Sequence, residues 1–261
     1  CGELALEKAA RLRIDLSGRG ARIAPAPPFL FHTAALMDPQ SLYTGLVFLH
    51  ILLFAAWLGG DIGVFALGQH FRKRHVYGLE TRLALLKLLV LVDMAPRTAW
   101  ALMVPVTISM AVTGGWAALP GWLTTASWIV GLGWLALTWT AYLSGQTPRA
   151  KRLRHVEFYL TVLLAAGYAA LAASGFAGWI VMPAWLALKS GLFALIFAFA
   201  IQIDVANRPV GPLLQRLIAE GSSPETEDPL LAAMNRVRVW VLGLYVLLVA
   251  VAAAGTFKPA F

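Results

Sequence analysis

Two side chains at membrane depth can bind a metal or an anion. They are His50, in LVFLHILLFAAWLGGDIGVFALG, and Lys189, in PAWLALKSGLFALIF. An ionisable group inside lipid costs about 2.5–3.5 kcal/mol on the insertion scale, so it normally has a partner or a task. Both residues fall in the outer half of their runs. A histidine and a lysine at one level of a bundle can hold an anionic cofactor: imidazole binds the metal, and the ammonium meets a propionate or serves as a second axial ligand. Snorkelling of Lys189 to the outer headgroups is the simpler alternative. Met103, Met110 and Met182 lie at middle to outer depth. Thioether with imidazole is a soft set that suits copper(I), or haem with an axial methionine; methionine is also ordinary core filler. His70, His75 and His155 fall in basic links and read as solvated.

A second polar level lies deeper. Eleven helical steps bring the direction back to within about 20° of the start, so His50, Trp57 and Asp61 share one stripe. His50 and Asp61 are about 16 Å apart along the axis, which excludes two ligands of one metal ion. Asp61 is either a proton-relay carboxylate or a structural partner of Arg97, and the ion pair is the favoured reading. In DMAPRTAW, Asp93 suits a helix N-cap and also competes for Arg97 at i,i+4 spacing.

These residues need helices to position them. Of the 261 residues, 59% are hydrophobic and only 13% charged, against about a quarter charged in soluble domains. Six runs reach the length of about 20 apolar residues that a bilayer requires, at 42–68, 95–117, 122–144, 156–178, 183–204 and 237–256. The expected fold is therefore an all-α, polytopic membrane helix bundle of about six transmembrane helices. Residues 78–92 read as an additional amphipathic helix along the cytoplasmic face.

The links alternate in charge. Arg72, Lys73, Arg74, Arg82 and Lys87 follow the first span, and Arg149, Lys151, Arg152 and Arg154 the third; Arg208, Arg216, Arg236 and Arg238 follow the fifth. GGWAALPGW and GWIVMPAW carry no charge. The positive-inside rule makes the basic links cytoplasmic and puts both termini outside, in a bacterial-type inner membrane. Trp116, Trp122, Trp179 and Trp185 fall near the uncharged links and read as interfacial anchors with no binding role.

Residues 1–36 carry scattered charge and APAPP but no long apolar core. They are expected to be a non-structural or disordered extension upstream of a start at Met37, leaving 37–261 as the membrane domain. The net charge of +8 sits in short links, and no basic domain stands outside the membrane to bind nucleic acid. A single cysteine excludes an intramolecular disulfide and a thiolate cluster.

LHILLFAAWLGGDIGVF resembles the opening helix of the CopD/HemJ-like membrane proteins, which show Leu-His, an apolar run and Trp-hydrophobic-Gly. WLALKSGLFALIF is similar to a later helix of that group, where Trp-Leu and a lysine precede a leucine-rich run. The resemblance implies b-type haem at His50 and a functional role for Lys189, with Trp57 and Gly59 as scaffold, or copper handling in the CopD context. Three readings stand together. The first is a haem b protein passing electrons to a quinone or a partner protein. The second is a copper-handling protein using His50 with Met110 or Met182. The third is a non-catalytic membrane subunit whose polar residues lock helices together.

Overall fold

The structure, a computed structural model, describes residues 38–260. The extension expected at residues 1–36 lies outside them. Among the described residues the chain forms eight helices: α1 (Pro39–Phe71), α2 (Leu79–Val92), α3 (Met94–Thr113), α4 (Gly121–Leu143), α5 (Pro148–Phe176), α6 (Ala184–Asn207), α7 (Val210–Glu220) and α8 (Pro224–Phe257). Six helices are long and apolar enough to cross a membrane, with α2 and α3 counted as one and α6 and α7 as another. The chain is an all-α bundle of the multi-pass type.

The helices start and stop where the sequence's polar punctuation requires. Thr147 caps α5 by accepting from the Ala150 amide at 3.2 Å, with Pro148 in the first turn. Ser223 and Thr226 form a reciprocal capping box at the start of α8, which satisfies amide groups that have no partner inside the helix. α1 packs on α2 and α3, α3 on α4, α4 on α5, α5 on α6 and α6 on α8. The uncharged links meet at one end, where the Ala118 amide donates to the Val181 carbonyl at 3.1 Å. The first and fifth links meet at the other, where Arg74 pairs with Asp228 at 2.6 Å.

Between helices in lipid there is little hydrophobic drive, so close backbone approach decides the packing. Gly60 of the Trp-Leu-Gly-Gly run makes such an approach. A Cβ there would stand 2.6 Å from Cδ of Pro96 on α3, so any larger residue forces α1 and α3 apart. The middle of the bundle is an aromatic layer. Trp100 contacts Trp57 at 5.8 Å, Trp134 at 4.8 Å and Phe197 at 5.0 Å between ring centroids. Phe193 joins Tyr168 at 4.7 Å and Phe197 at 5.2 Å, within the range of favourable aromatic pairs.

The charged end is locked by one buried ion pair. Arg82 on α2 donates to both carboxylate oxygens of Glu227 on α8, at 2.5 and 2.8 Å, and both side chains are 1% exposed. Its Nε donates to the Phe71 carbonyl at 2.6 Å, an acceptor that the end of α1 leaves unpaired. Ser222 donates to the same carboxylate at 2.8 Å. Leu217 of α7 and Leu230 of α8 pack with Phe71 beside this pair. Arg82, read from sequence as a topology charge in a link, is an internal clamp.

Two local expectations change. The helix expected at 78–92 forms as α2 (Leu79–Val92), but it runs on through Asp93 into α3, and the two count together as one 35-residue span candidate, Leu79–Thr113. The amphipathic element is α7, whose Leu217 is buried while Arg216 and Glu220 pair at an exposed surface at 3.0 Å. Asp93 is not an N-cap: its backbone is right-handed helical (φ −60°, ψ −19°) and its side chain makes no capping bond. Its amide donates to Leu89 and its carbonyl accepts from Arg97, so the helix runs through it and the carboxylate is left for another partner.

Candidate functional site

Above the aromatic layer, toward the uncharged end, α1, α3, α5, α6 and α8 enclose a cavity of about 520 Å3. Trp57, Tyr168 and Phe193 belong both to the layer and to the cavity lining, so the layer forms its floor. The volume falls within the usual range for small-molecule and cofactor sites.

The stripe on α1 turns His50 and Trp57 into this space, and α6 turns in Trp185 and Lys189, one turn apart. His50 Nδ1 is buried and has no hydrogen-bond partner. A buried ring nitrogen without a partner is costly, by about 1–3 kcal/mol, and calls for a ligand or a hydrogen-bond partner. Lys189 is the charged neighbour whose field His50 feels. Its ammonium reaches α8: a Cβ built on Gly255 would lie 2.5 Å from its Nζ. The missing side chain at Gly255 is what leaves the ammonium its place between α6 and α8.

Met103, Met110 and Met182 also line the cavity. His50, Trp57, Met110, Met182 and Lys189, singled out from depth and residue type, therefore face one space. Among the described residues no aspartate or glutamate lines it. Among the described residues no group of three or more His, Cys, Asp or Glu side chains could hold a metal ion, so a metal bound here would rest on one imidazole with softer or exogenous ligands.

Asp61 lies beneath the floor and does not line the cavity. The ion pair expected between Asp61 and Arg97 is not the one that forms. Arg97 Nε donates to Asp93 Oδ2 at 2.5 Å. The reason is local: Asp93 and Arg97 are one turn apart on a continuous helix, so their pairing orders fewer groups than a contact between helices. The Asp61 carboxyl instead lies near the Trp57 side chain, with Asp93 and Arg97 as charged neighbours. Its backbone carbonyl accepts from the Tyr245 hydroxyl at 2.6 Å.

The mouth of the cavity is built from residues that sequence reasoning passed over. Trp116 and Trp185 pack edge to face at 5.4 Å, and Trp116 Nε1 donates to the Tyr43 hydroxyl at 3.2 Å. Lys258 Nζ stands 4.3 Å from the Trp116 ring and 5.4 Å from the Trp185 ring. Trp122 and Trp179 are 69% and 82% exposed, whereas Trp116 and Trp185 turn inward. Nothing in their sequence neighbourhood separates the two pairs. No family model, curated protein or solved structure matches the chain.

Proposed function

We propose that the protein is an integral membrane protein that binds b-type haem in the cavity and serves electron transfer or porphyrin-linked redox chemistry. The observation that carries this reading is the convergence of His50, with its unpartnered buried nitrogen, and Lys189 on one aromatic-walled space that no acid among the described residues lines. The residues fit the group. An imidazole supplies an axial ligand, an ammonium without an ion-pair partner among the described residues suits a propionate, and aromatic walls suit a flat macrocycle. Met110 or Met182 suits a second axial position. Bound haem supplies a one-electron iron couple.

The chain's own residues have separable tasks. His50 holds and orients; Lys189 neutralises an anionic arm; Trp57, Tyr168 and Phe193 close the floor and exclude water. The resemblance of LHILLFAAWLGGDIGVF and WLALKSGLFALIF to CopD/HemJ-like proteins supports the same assignment, and a quinone or an electron-transfer protein is the partner class. The alternation of basic and uncharged links supports a bacterial-type inner membrane, with the charged end cytoplasmic and both termini outside.

Copper handling is the second reading, favoured by the three methionines that share the cavity with His50. Absorption spectroscopy and metal analysis of detergent-purified protein separate the two. Haem gives a Soret band that His50→Ala removes; copper without a Soret band supports the alternative. Neither haem nor copper leaves a membrane subunit held together by its polar residues.

A further inference from the structure

α8 ends at Phe257, and Lys258 follows with φ 45° and ψ 58°. It is the one non-glycine residue with positive φ among the described residues. Glycine or asparagine normally takes this left-handed position after a helix, and the following proline prevents the helix from continuing. The turn brings the lysine side chain over the cavity mouth, against Trp116 and Trp185. The ammonium is held by two ring faces, with no carboxylate partner among the described residues, so it stays available to an anion. Lys258 also belongs to the cavity lining.

The position of Lys189 gives this a second half. Its Nζ lies beside Gly255, three residues before Lys258 and so about one helical turn deeper. On α6, Trp185 stands one turn from Lys189 toward the mouth. Two ammonium groups thus mark two levels of one wall, about a turn apart, with no acidic side chain among the described residues lining the cavity between them.

We propose that Lys258, held on Trp116 and Trp185, is a specificity-determining residue that takes one anionic arm of the cavity ligand while Lys189 takes another, so that the site selects a flat apolar molecule carrying two carboxylates. The proposal rests on the tetrapyrrole reading and deepens it from a metal-centred site to one that reads the ligand's charge pattern. His50 faces the metal and is not needed for this discrimination.

The test uses the full chain in lipid nanodiscs, with metal-free protoporphyrin IX and its dimethyl ester as probes and porphyrin fluorescence as the readout. Wild type binds the diacid at least tenfold more tightly than the diester, about the effect of one charge-assisted hydrogen bond at a partly exposed site. Lys258→Gly suits the left-handed backbone and deletes the side chain together with its charge. It weakens the diacid by about tenfold, leaves the diester unchanged and keeps the thermal unfolding profile. Lys258→Arg retains the preference. Equal binding of diacid and diester by wild type, or an unchanged preference in Lys258→Gly, overturns the two-carboxylate proposal while a haemin Soret band keeps the haem reading. Binding of neither porphyrin nor haemin overturns both.

Discussion

Lys189 Nζ occupies the space that a side chain at Gly255 would fill, at 2.5 Å from the position of the absent Cβ. The charge that matters most to the cavity is therefore placed by a residue with no side chain, on the last helix of the bundle. Gly255→Ala is expected to push the ammonium aside, because the far end of a lysine moves easily. The helix itself gains up to about 1 kcal/mol from alanine. Retained cofactor should fall while the unfolding temperature holds or rises, as measured by absorption and by thermal unfolding of the same preparation. Loss of both together would mean that Gly255 serves packing alone.

Arg82 and Glu227 set the stability of the charged end. Removing one partner strands a buried charge, so Arg82→Ala or Glu227→Ala should cost about 3–5 kcal/mol. The double substitution Arg82→Met with Glu227→Leu should recover most of that, because an apolar pair of similar volume leaves no group unpaired. Denaturant unfolding in detergent reads both, and cofactor content per folded molecule should stay unchanged. A double variant as unstable as the singles would contradict the clamp.

The Asp61 level gives a third expectation. Since Arg97 pairs with Asp93 at i,i+4, exchanging charges as Asp61→Arg with Arg97→Asp should not rescue Asp61→Arg. Asp93→Asn should cost only about 0.3–0.5 kcal/mol, the scale of such a helical pair. Rescue by the charge exchange, measured as unfolding free energy, would restore the Asp61–Arg97 pair.

Topology is tested by labelling. Cysteines at Gly121 and Gly178, at the uncharged end, should react with an impermeant reagent added to intact cells. A cysteine at Lys151 should react only after permeabilisation, as the basic links require. The reverse pattern would invert the orientation.

The residues that the sequence makes legible are those whose type is costly at their depth. His50 and Lys189 stand out because lipid penalises them, and an arithmetic of 100° per residue puts Trp57 on the stripe of His50. The six long helices follow from apolar length, which the bilayer makes obligatory. Azimuth between helices is not legible in this way. Depth places Asp61 and Arg97 within reach of one another, but only the continuous backbone through Asp93 shows that a nearer carboxylate takes the arginine. Trp116 and Trp185 look the same in sequence as Trp122 and Trp179; the difference lies in which way the links fold. Lys258 carries no signal in the sequence, and only its left-handed backbone turns it over the mouth. Arg82 reads as a link charge until Glu227, 145 residues later, is found beside it.

The most direct measurement is the absorption spectrum of the detergent-purified chain and its His50→Ala variant, each reconstituted with haemin and washed. Wild type should retain a Soret band at about one haem per chain, and His50→Ala should lose it while keeping the helical circular dichroism of the folded bundle. An equal Soret band in both, or none in wild type, would contradict His50 as the ligand of a haem-binding cavity.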